Sequence, residues 1–213
     1  MLELLFSNPI AFFITAVGLV VAITVHEFAH ALVADRLGDP TPRVQGRLTL
    51  NPLAHLDPLG TLALLFIGFG WGRPVEFDPY NLKHHARDAA LIAIAGPVSN
   101  ILIAIFLSVI IHVFFPGFTV ISLSLARILA INISLAIFNF VPVAPLDGEK
   151  ILYAILPKDI AIEYRQFMRQ YGVFVLLFLI FPIFGGVSPI SRLISPIIQF
   201  INGILLFGFW RGA

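Results

Sequence analysis

Apolar runs long enough to cross a lipid bilayer are the feature that most constrains this chain. A helix needs about 20 residues to cross roughly 30 Å of hydrocarbon. Such runs lie at residues 9–34, 89–115 and 119–141, with shorter ones at 171–184 and 190–209. Hydrophobic residues make up 59% of the chain and charged residues 12%, against about 25% charged in an ordinary soluble domain. We therefore predict one all-α polytopic membrane domain over residues 1–213, with about five transmembrane helices.

Two shorter segments are predicted to lie at a membrane face. Residues 58–70 are strongly apolar, but at 13 residues they are too short to cross comfortably, which favours a re-entrant or interfacial segment. Polar and apolar residues alternate within residues 43–50, which predicts a short β-hairpin or an extended edge. Such an edge could pair with an extended substrate backbone. A plain connecting loop is the alternative.

Loop charges predict the orientation in the membrane. Basic residues cluster between the first and second spans and between the third and fourth, whereas residues 116–118 carry no charge. If residues 58–70 do not cross, both basic loops lie on one face, which the positive-inside tendency makes cytoplasmic. The N-terminus is then outside and the C-terminus inside. A net charge of +1 gives no basic surface for nucleic acid, so the expected partners are the lipid bilayer and membrane proteins.

The motif His26-Glu27-Phe28-Ala29-His30 lies inside the first apolar run. Positions i and i+4 of a helix share one face, so both imidazoles can reach one metal ion with Glu27 beside it. Ionisable side chains are costly within a membrane unless they are paired or bound to metal. The alternative is a buried polar cluster that satisfies itself through hydrogen bonds. The chain has no cysteine, so any metal must rely on His, Asp and Glu.

Asp147 is the best candidate for a third metal ligand. A hydrolytic zinc site typically has three protein ligands and one open position, and the motif supplies only two. Asp147 follows a segment in which Pro142 and Pro145 forbid regular helix. In the predicted topology the first and third spans end on the same face, so Asp147 approaches both histidines. The alternative is that Asp147 only caps the helix that follows it.

The chain resembles the site-2 protease family of intramembrane zinc metalloproteases. Three blocks carry the resemblance, in the order His26-Glu27-x-x-His30, Gly96-x-x-x-Asn100 and Asn139-x-x-Pro142…Leu146-Asp147-Gly148. The resemblance implies one zinc ion per chain, held by His26, His30 and Asp147, with Glu27 as the catalytic acid and base. The chain resembles a minimal form of this family, without an appended regulatory domain.

Asn100 matches a position where this family carries a polar residue near the active site. We treat it as a second catalytic candidate, because its amide could donate to the scissile carbonyl oxygen as that oxygen gains charge. Alternatively, Gly96 lets helices approach closely and Asn100 only cross-links them. His55 could orient substrate or be a surface histidine, His84 and His85 are expected in a solvated patch, and His112 lies too far along its span.

The predicted function is hydrolysis of a peptide bond in or near a transmembrane segment of a membrane-protein substrate, by a zinc-activated water and Glu27. The expected location is the plasma membrane of a prokaryote, with the active site toward the cytoplasm. The oligomeric state stays open between a monomer and a homo-oligomer. The alternatives are a transporter of zinc or another divalent metal, an inactive relative that binds membrane clients, and a membrane zincin that acts from an aqueous chamber.

Overall fold

Helices form the regular structure of the chain. The computed structural model describes residues 1–67, 70–182 and 186–207. Backbone pairing between extended residues in these ranges is limited to one antiparallel bridge between Leu56 and Gly72. The helices are α1 Leu2–Ser7, α2 Pro9–Arg36, α3 Thr41–Val44, α4 Pro58–Ile67, α5 His85–Phe114, α6 Val120–Asn139, α7 Asp147–Ile155, α8 Lys158–Ile180 and α9 Pro189–Leu205, with short 3-10 turns at Pro52–Ala54 and Pro79–Asn81.

Three of the helices are candidate membrane spans. Helices α2, α5 and α6 contain 28, 30 and 20 residues, and each is long and apolar enough to cross a bilayer. At about 1.5 Å per residue, even the shortest reaches about 30 Å. Helix α2 begins where Asn8 accepts a hydrogen bond from the Ala11 N–H and Pro9 takes the first helical position. These helices correspond to the first three predicted spans, so the chain is a helical integral membrane protein.

The fourth and fifth predicted spans are not confirmed. Helix α8 has 23 residues, but charged side chains occupy its first half, and its apolar part covers only the last turns. Helix α9 is apolar but has only 17 residues, about 26 Å of helix. The predicted limits at residues 184 and 209 lie outside the described residues.

Helix α4 covers residues 58–67 of the short apolar segment predicted at residues 58–70, of which residues 68 and 69 lie outside the described residues. Its 10 residues give about 15 Å of helix, roughly half of the hydrocarbon thickness. Leu59, Leu62 and Phe66 expose half or more of their surface, as expected for a helix that faces lipid. A helix of this length does not cross a bilayer.

The β-hairpin predicted at residues 43–50 is wrong. The chain forms the short helix α3 and then a Schellman turn, in which Gly46 N–H bonds Arg43 O and Arg47 N–H bonds Pro42 O. Gly46 has a φ of 69°, a conformation that glycine adopts readily and that ends helices in this motif. The alternating Val44 and Leu50 are exposed, so the alternation marks no buried face.

Helix α5 lies at the centre of the fold. It packs against α2, α6, α7 and α9, and α2 also packs on α6. Small side chains fill these contacts, which lets the backbones approach closely, as is usual between membrane helices. Fully buried alanines are found on all three spans, at positions 22, 31, 34, 93, 104 and 136.

The segment between α4 and α5 is anchored to the end of α2 by Asp39. The Asp39 carboxylate is fully buried and accepts from the Thr41 N–H and hydroxyl, the Asp78 N–H and the Asn81 amide. Burial raises the pKa of Asp39, but these hydrogen bonds outweigh it and hold the pKa below its ordinary value. Buried Arg47 donates to the carbonyls of Ala54 and Pro74. Both contacts fix the segment that carries residues 70–82.

The lowered pKa of Asp39 predicts a pH-dependent contribution to stability. Because the folded pKa lies below the unfolded value of about 3.9, the contribution is complete above that pH and is lost as the pH falls through the folded value. We expect Asp39→Asn to lower the free energy of unfolding by about 1–3 kcal/mol at neutral pH. Thermal unfolding in detergent, with exposed Asp159→Asn as the control, should show this difference shrinking below about pH 4. A difference that grows on acidification would contradict it.

Candidate metal centre

Two histidines from successive turns of α2 and one carboxylate from α7 converge at a buried point. Nε2 of His26 lies 3.1 Å from Oδ2 of Asp147, and Nε2 of His30 lies 3.2 Å from the same oxygen. All three side chains are buried, and each offers a ligand atom within 4.8 Å of the others. The structure thus brings together the three residues selected from the sequence, although His26 and Asp147 are 121 positions apart.

The proline-containing segment before α7 delivers Asp147 to this point. Helix α6 ends at Asn139 and α7 begins at Asp147, as expected from the two prolines between them. Val141, Val143 and Leu146 are buried against α8 and α9. Burial and the nearby Glu149 raise the pKa of Tyr164 to about 12, so its hydroxyl keeps a proton and donates to Pro142 O. Irregular backbone is therefore held within protein, as a membrane environment requires.

The other ring nitrogen of each histidine contacts a hydrogen-bond acceptor. Nδ1 of His30 lies 2.7 Å from the carbonyl oxygen of Ile92, and Nδ1 of His26 lies 2.7 Å from Oδ1 of Asn100. A carbonyl oxygen can only accept, so each Nδ1 carries a proton. In the neutral ring Nε2 then keeps a lone pair. Metal-binding histidines are typically oriented by such a contact on the nitrogen that does not bind the metal.

These residues fit a zinc ion. Ligand atoms about 2.0–2.1 Å from a tetrahedral zinc ion lie about 3.3 Å from one another, close to the observed separations from Oδ2 of Asp147. Two imidazole nitrogens and one carboxylate oxygen form a donor set that zinc commonly takes. Three protein ligands leave a fourth position for water or substrate.

A cavity of about 90 Å³ opens beside the three side chains. One wall is the irregular segment at residues 74–77, and another is formed by α7 and the end of α6. The lining residues are His26, Glu27, His30, Pro74, Val75, Phe77, Ile92, Ala93, Asn139, Pro145, Asp147 and Lys150. The cavity is therefore bounded by the first block and the last block of the sequence resemblance.

Gly96 leaves the space that the metal centre needs. A Cβ atom at this position would lie 2.6 Å from Nε2 of His26 and would also overlap Nε2 of His30. Both are the nitrogens that face Asp147, so any side chain here would push them out of place. The glycine of the middle block thus has a steric reason in the site itself.

Glu27 and Lys150 also line this cavity. Oε2 of Glu27 accepts a hydrogen bond of 3.0 Å from the Val75 N–H, which fixes the carboxylate against residues 74–77. Nζ of Lys150 lies 3.8 Å from Oδ1 of Asp147. The sequence analysis did not select Lys150, although its position three residues after Asp147 places both on one helical face.

Asn100 is fully buried and uses its whole amide within the protein. Its Nδ2 donates to Ala22 O at 3.1 Å and to Oδ1 of Asn132 at 2.9 Å. An amide nitrogen carries two protons, so both are engaged. These contacts are the cross-link between helices that the sequence left as an alternative. A contact with a scissile carbonyl stays a prediction and would need one of these two protons.

The remaining histidines lie outside the His26, His30 and Asp147 cluster. His55 is fully buried rather than on the surface, and its Nε2 lies 2.8 Å from Thr49 O. His85 is exposed and contacts Pro79 O, in agreement with a solvated patch. His112 contacts the carbonyls of Ser108 and Phe207 near the far end of α5.

Fold and site together define a helical integral membrane protein with a buried site that fits a metal ion. Comparisons with known proteins agree with this class of protein. Residues 119–179 match peptidase family M50. The chain is 39% identical over 177 residues to the "Putative zinc metalloprotease YwhC" of Bacillus subtilis, covering 79% of this chain and 80% of that protein.

Two mycobacterial proteins are also similar. The chain is 31% identical over 143 residues to the "Putative zinc metalloprotease Rip2" of Mycolicibacterium smegmatis, covering 64% of this chain and 55% of that protein. It is 30% identical over 176 residues to a protein of the same name from Mycobacterium tuberculosis, covering 79% of this chain and 66% of that protein. No solved structure matches the chain.

The chain therefore belongs to peptidase family M50, the site-2 protease family. This confirms the family and the class of enzyme, an intramembrane zinc metalloprotease, that the sequence motifs predict.

The space beside Gly96 gives a direct test of the site. We expect Gly96→Ala to weaken zinc binding by about 100-fold or more, because the new methyl group displaces both ring nitrogens and small changes around a metal site already alter affinity 10–100-fold. Zinc content and affinity of the purified protein measure this. Gly203→Ala is the matched control, since a Cβ there would meet nothing within 4 Å. Equal zinc affinity in both variants would contradict the steric argument.

Proposed function

We propose that His26, His30 and Asp147 hold one zinc ion per chain, and that Glu27 serves as the acid and base that hydrolyses a peptide bond of a membrane-protein substrate. One observation carries the proposal. Oδ2 of Asp147 lies 3.1 Å from Nε2 of His26 and 3.2 Å from Nε2 of His30, and Glu27 lines the same cavity.

A zinc ion held there supplies Lewis-acid polarisation of the peptide carbonyl and lowers the pKa of water in the site. The protein's own residues do the positioning. The Ile92 carbonyl and the Asn100 amide hold the two imidazoles with Nε2 toward Asp147. Lys150, whose Nζ lies near Oδ1 of Asp147, steadies the carboxylate oxygen that faces away from the histidines.

Glu27 is placed to move protons. The Val75 N–H holds Oε2, which leaves Oε1 to take a proton from a water in the cavity. The same carboxyl group then passes that proton to the nitrogen of the leaving peptide. Proton transfer by a positioned side chain contributes about 10²–10⁴-fold to the rate in comparable reactions.

Asn100 acts as a positioning residue in this proposal. Both of its N–H groups are engaged by Ala22 and Asn132, so it has no donor to offer to a substrate oxygen. Its contribution is the 2.7 Å contact with Nδ1 of His26. The contact fixes the orientation of the His26 ring.

The substrate is a transmembrane segment of another protein, cleaved near the cytoplasmic face of a prokaryotic plasma membrane. His30 lies six residues before the end of α2 at Arg36, about 9 Å along the helix axis, so the site is close to one membrane face. The basic loops adjoin that end of α2 and α7, and basic loops are typically cytoplasmic. A helical substrate keeps its carbonyls hydrogen-bonded, so it must unwind locally, and helix-breaking residues in it favour cleavage.

The role of Glu27 is tested by Glu27→Gln. We expect zinc content to be unchanged and proteolysis to fall by at least about 100-fold, because the amide cannot accept the proton. Metal analysis and cleavage of a panel of single-span substrates measure the two effects. Exposed Glu76→Gln, on the same segment, should leave both unchanged. Undiminished cleavage by Glu27→Gln would refute the assigned role.

The role of Asp147 is tested by Asp147→Ala. We expect loss of both zinc and proteolysis, because only two protein ligands would remain where a hydrolytic site typically has three. Exposed Asp159→Ala controls for the loss of an acidic residue. Full zinc occupancy in Asp147→Ala would overturn the ligand set. Zinc flux across sealed proteoliposomes without cleavage would instead favour a transporter.

A further inference from the structure

Asn132 is a buried amide in the middle of the apolar helix α6. It is fully buried and lies two helical turns before the end of α6 at Asn139. Its Oδ1 accepts from Nδ2 of Asn100 at 2.9 Å, and its Nδ2 donates to Ile128 O at 2.9 Å. A polar side chain within a membrane span is costly unless it is hydrogen-bonded, and the hydrogen bonds of Asn132 go to none of the three proposed zinc ligands.

Two backbone carbonyls set the direction of the hydrogen bonds that link Asn132, Asn100 and His26. Ile128 O can only accept, so the amide nitrogen of Asn132 faces it and Oδ1 of Asn132 faces Asn100. Ala22 O also only accepts, so Nδ2 of Asn100 faces both Ala22 O and Oδ1 of Asn132. Oδ1 of Asn100 is then the atom left for His26. A reversed Asn100 amide would place oxygen against oxygen at two contacts.

The consequence for His26 is a fixed tautomer. Because Oδ1 of Asn100 only accepts, Nδ1 of His26 carries the proton and Nε2 keeps its lone pair toward Asp147 and His30. The chain of contacts runs across α6, α5 and α2, which are the three candidate spans. It thus links the orientation of one ring to the packing of all three.

We propose that Asn132 is a positioning residue of the metal centre, which orients the Asn100 amide so that His26 presents Nε2 to the zinc ion. This rests on the proposed zinc site. A purely structural role, a cross-link between α5 and α6, makes a different prediction. It would lower stability without a specific loss of zinc affinity.

The test compares zinc affinities of the full-length protein in lipid nanodiscs, by competition with a chelator. We expect Asn132→Leu, which keeps the branched shape and removes the acceptor, to weaken zinc binding by about 10-fold, the lower end of the range for outer contacts of a metal site. Ser134→Ala is the matched control, because it removes another hydrogen bond of α6, to Ala130 O. Asn132→Ala replaces the leucine variant if that variant does not fold.

A double-mutant cycle separates the two roles. In an Asn100→Leu background, we expect Asn132→Leu to change zinc affinity by no more than about twofold, because the two residues act as one unit. The same 10-fold loss in that background, or no loss in Asn132→Leu alone, would overturn the positioning role. Nitrogen NMR of the zinc-loaded wild type should show the His26 proton on Nδ1, and a proton on Nε2 would also overturn it. A wild-type chain that binds no zinc would overturn the metal centre itself.

Discussion

The structure depends on the need to pair every ionisable and polar side chain buried among apolar helices. An unpaired polar group there costs several kcal/mol, and an unpaired charge costs more. His26, His30 and Asp147 turn one ligand atom each toward a common point, where a bound metal ion would satisfy all three. Their outward-facing nitrogens are satisfied by Asn100 and the Ile92 carbonyl. Helix α5 supplies both of these partners and the glycine that makes room for the rings, which explains its central position in the fold.

The long apolar runs predicted three helices well because length and composition decide whether a helix can cross a bilayer. The same criteria do not identify α8 and α9 as spans, because the first half of α8 is charged and α9 is short. At residues 43–50, alternation suggested a β-hairpin, but Pro42 and Gly46 favour a helical turn with a Schellman end. Local turn chemistry outweighed a weak hydrophobic period because neither Val44 nor Leu50 has a buried surface to pack against.

Most of the side chains that form the candidate site could be predicted from the sequence, but the backbone groups that hold them could not. His26, Glu27 and His30 form a recognisable helical spacing, and Asp147 follows a proline pattern that requires an irregular turn. The Ile92 carbonyl and the Val75 N–H leave no trace in the sequence, because every residue but proline has the same backbone groups. Asn132 did leave a signal, an amide within an apolar run, but its partner Asn100 is apparent only from the packing of α5 on α6.

The hydrogen bond between Val75 and Glu27 links the wall of the cavity to the position of the Glu27 carboxylate. Residues 74–77 form a wall of the cavity, and the backbone of the same segment fixes Oε2 of Glu27. Asp39 and Arg47 tether that segment from the region just beyond α2. The shape of the cavity and the orientation of the Glu27 carboxylate thus depend on a single stretch of peptide. A change of this segment that reshapes the cavity would also move the Glu27 carboxylate, so the two cannot change independently.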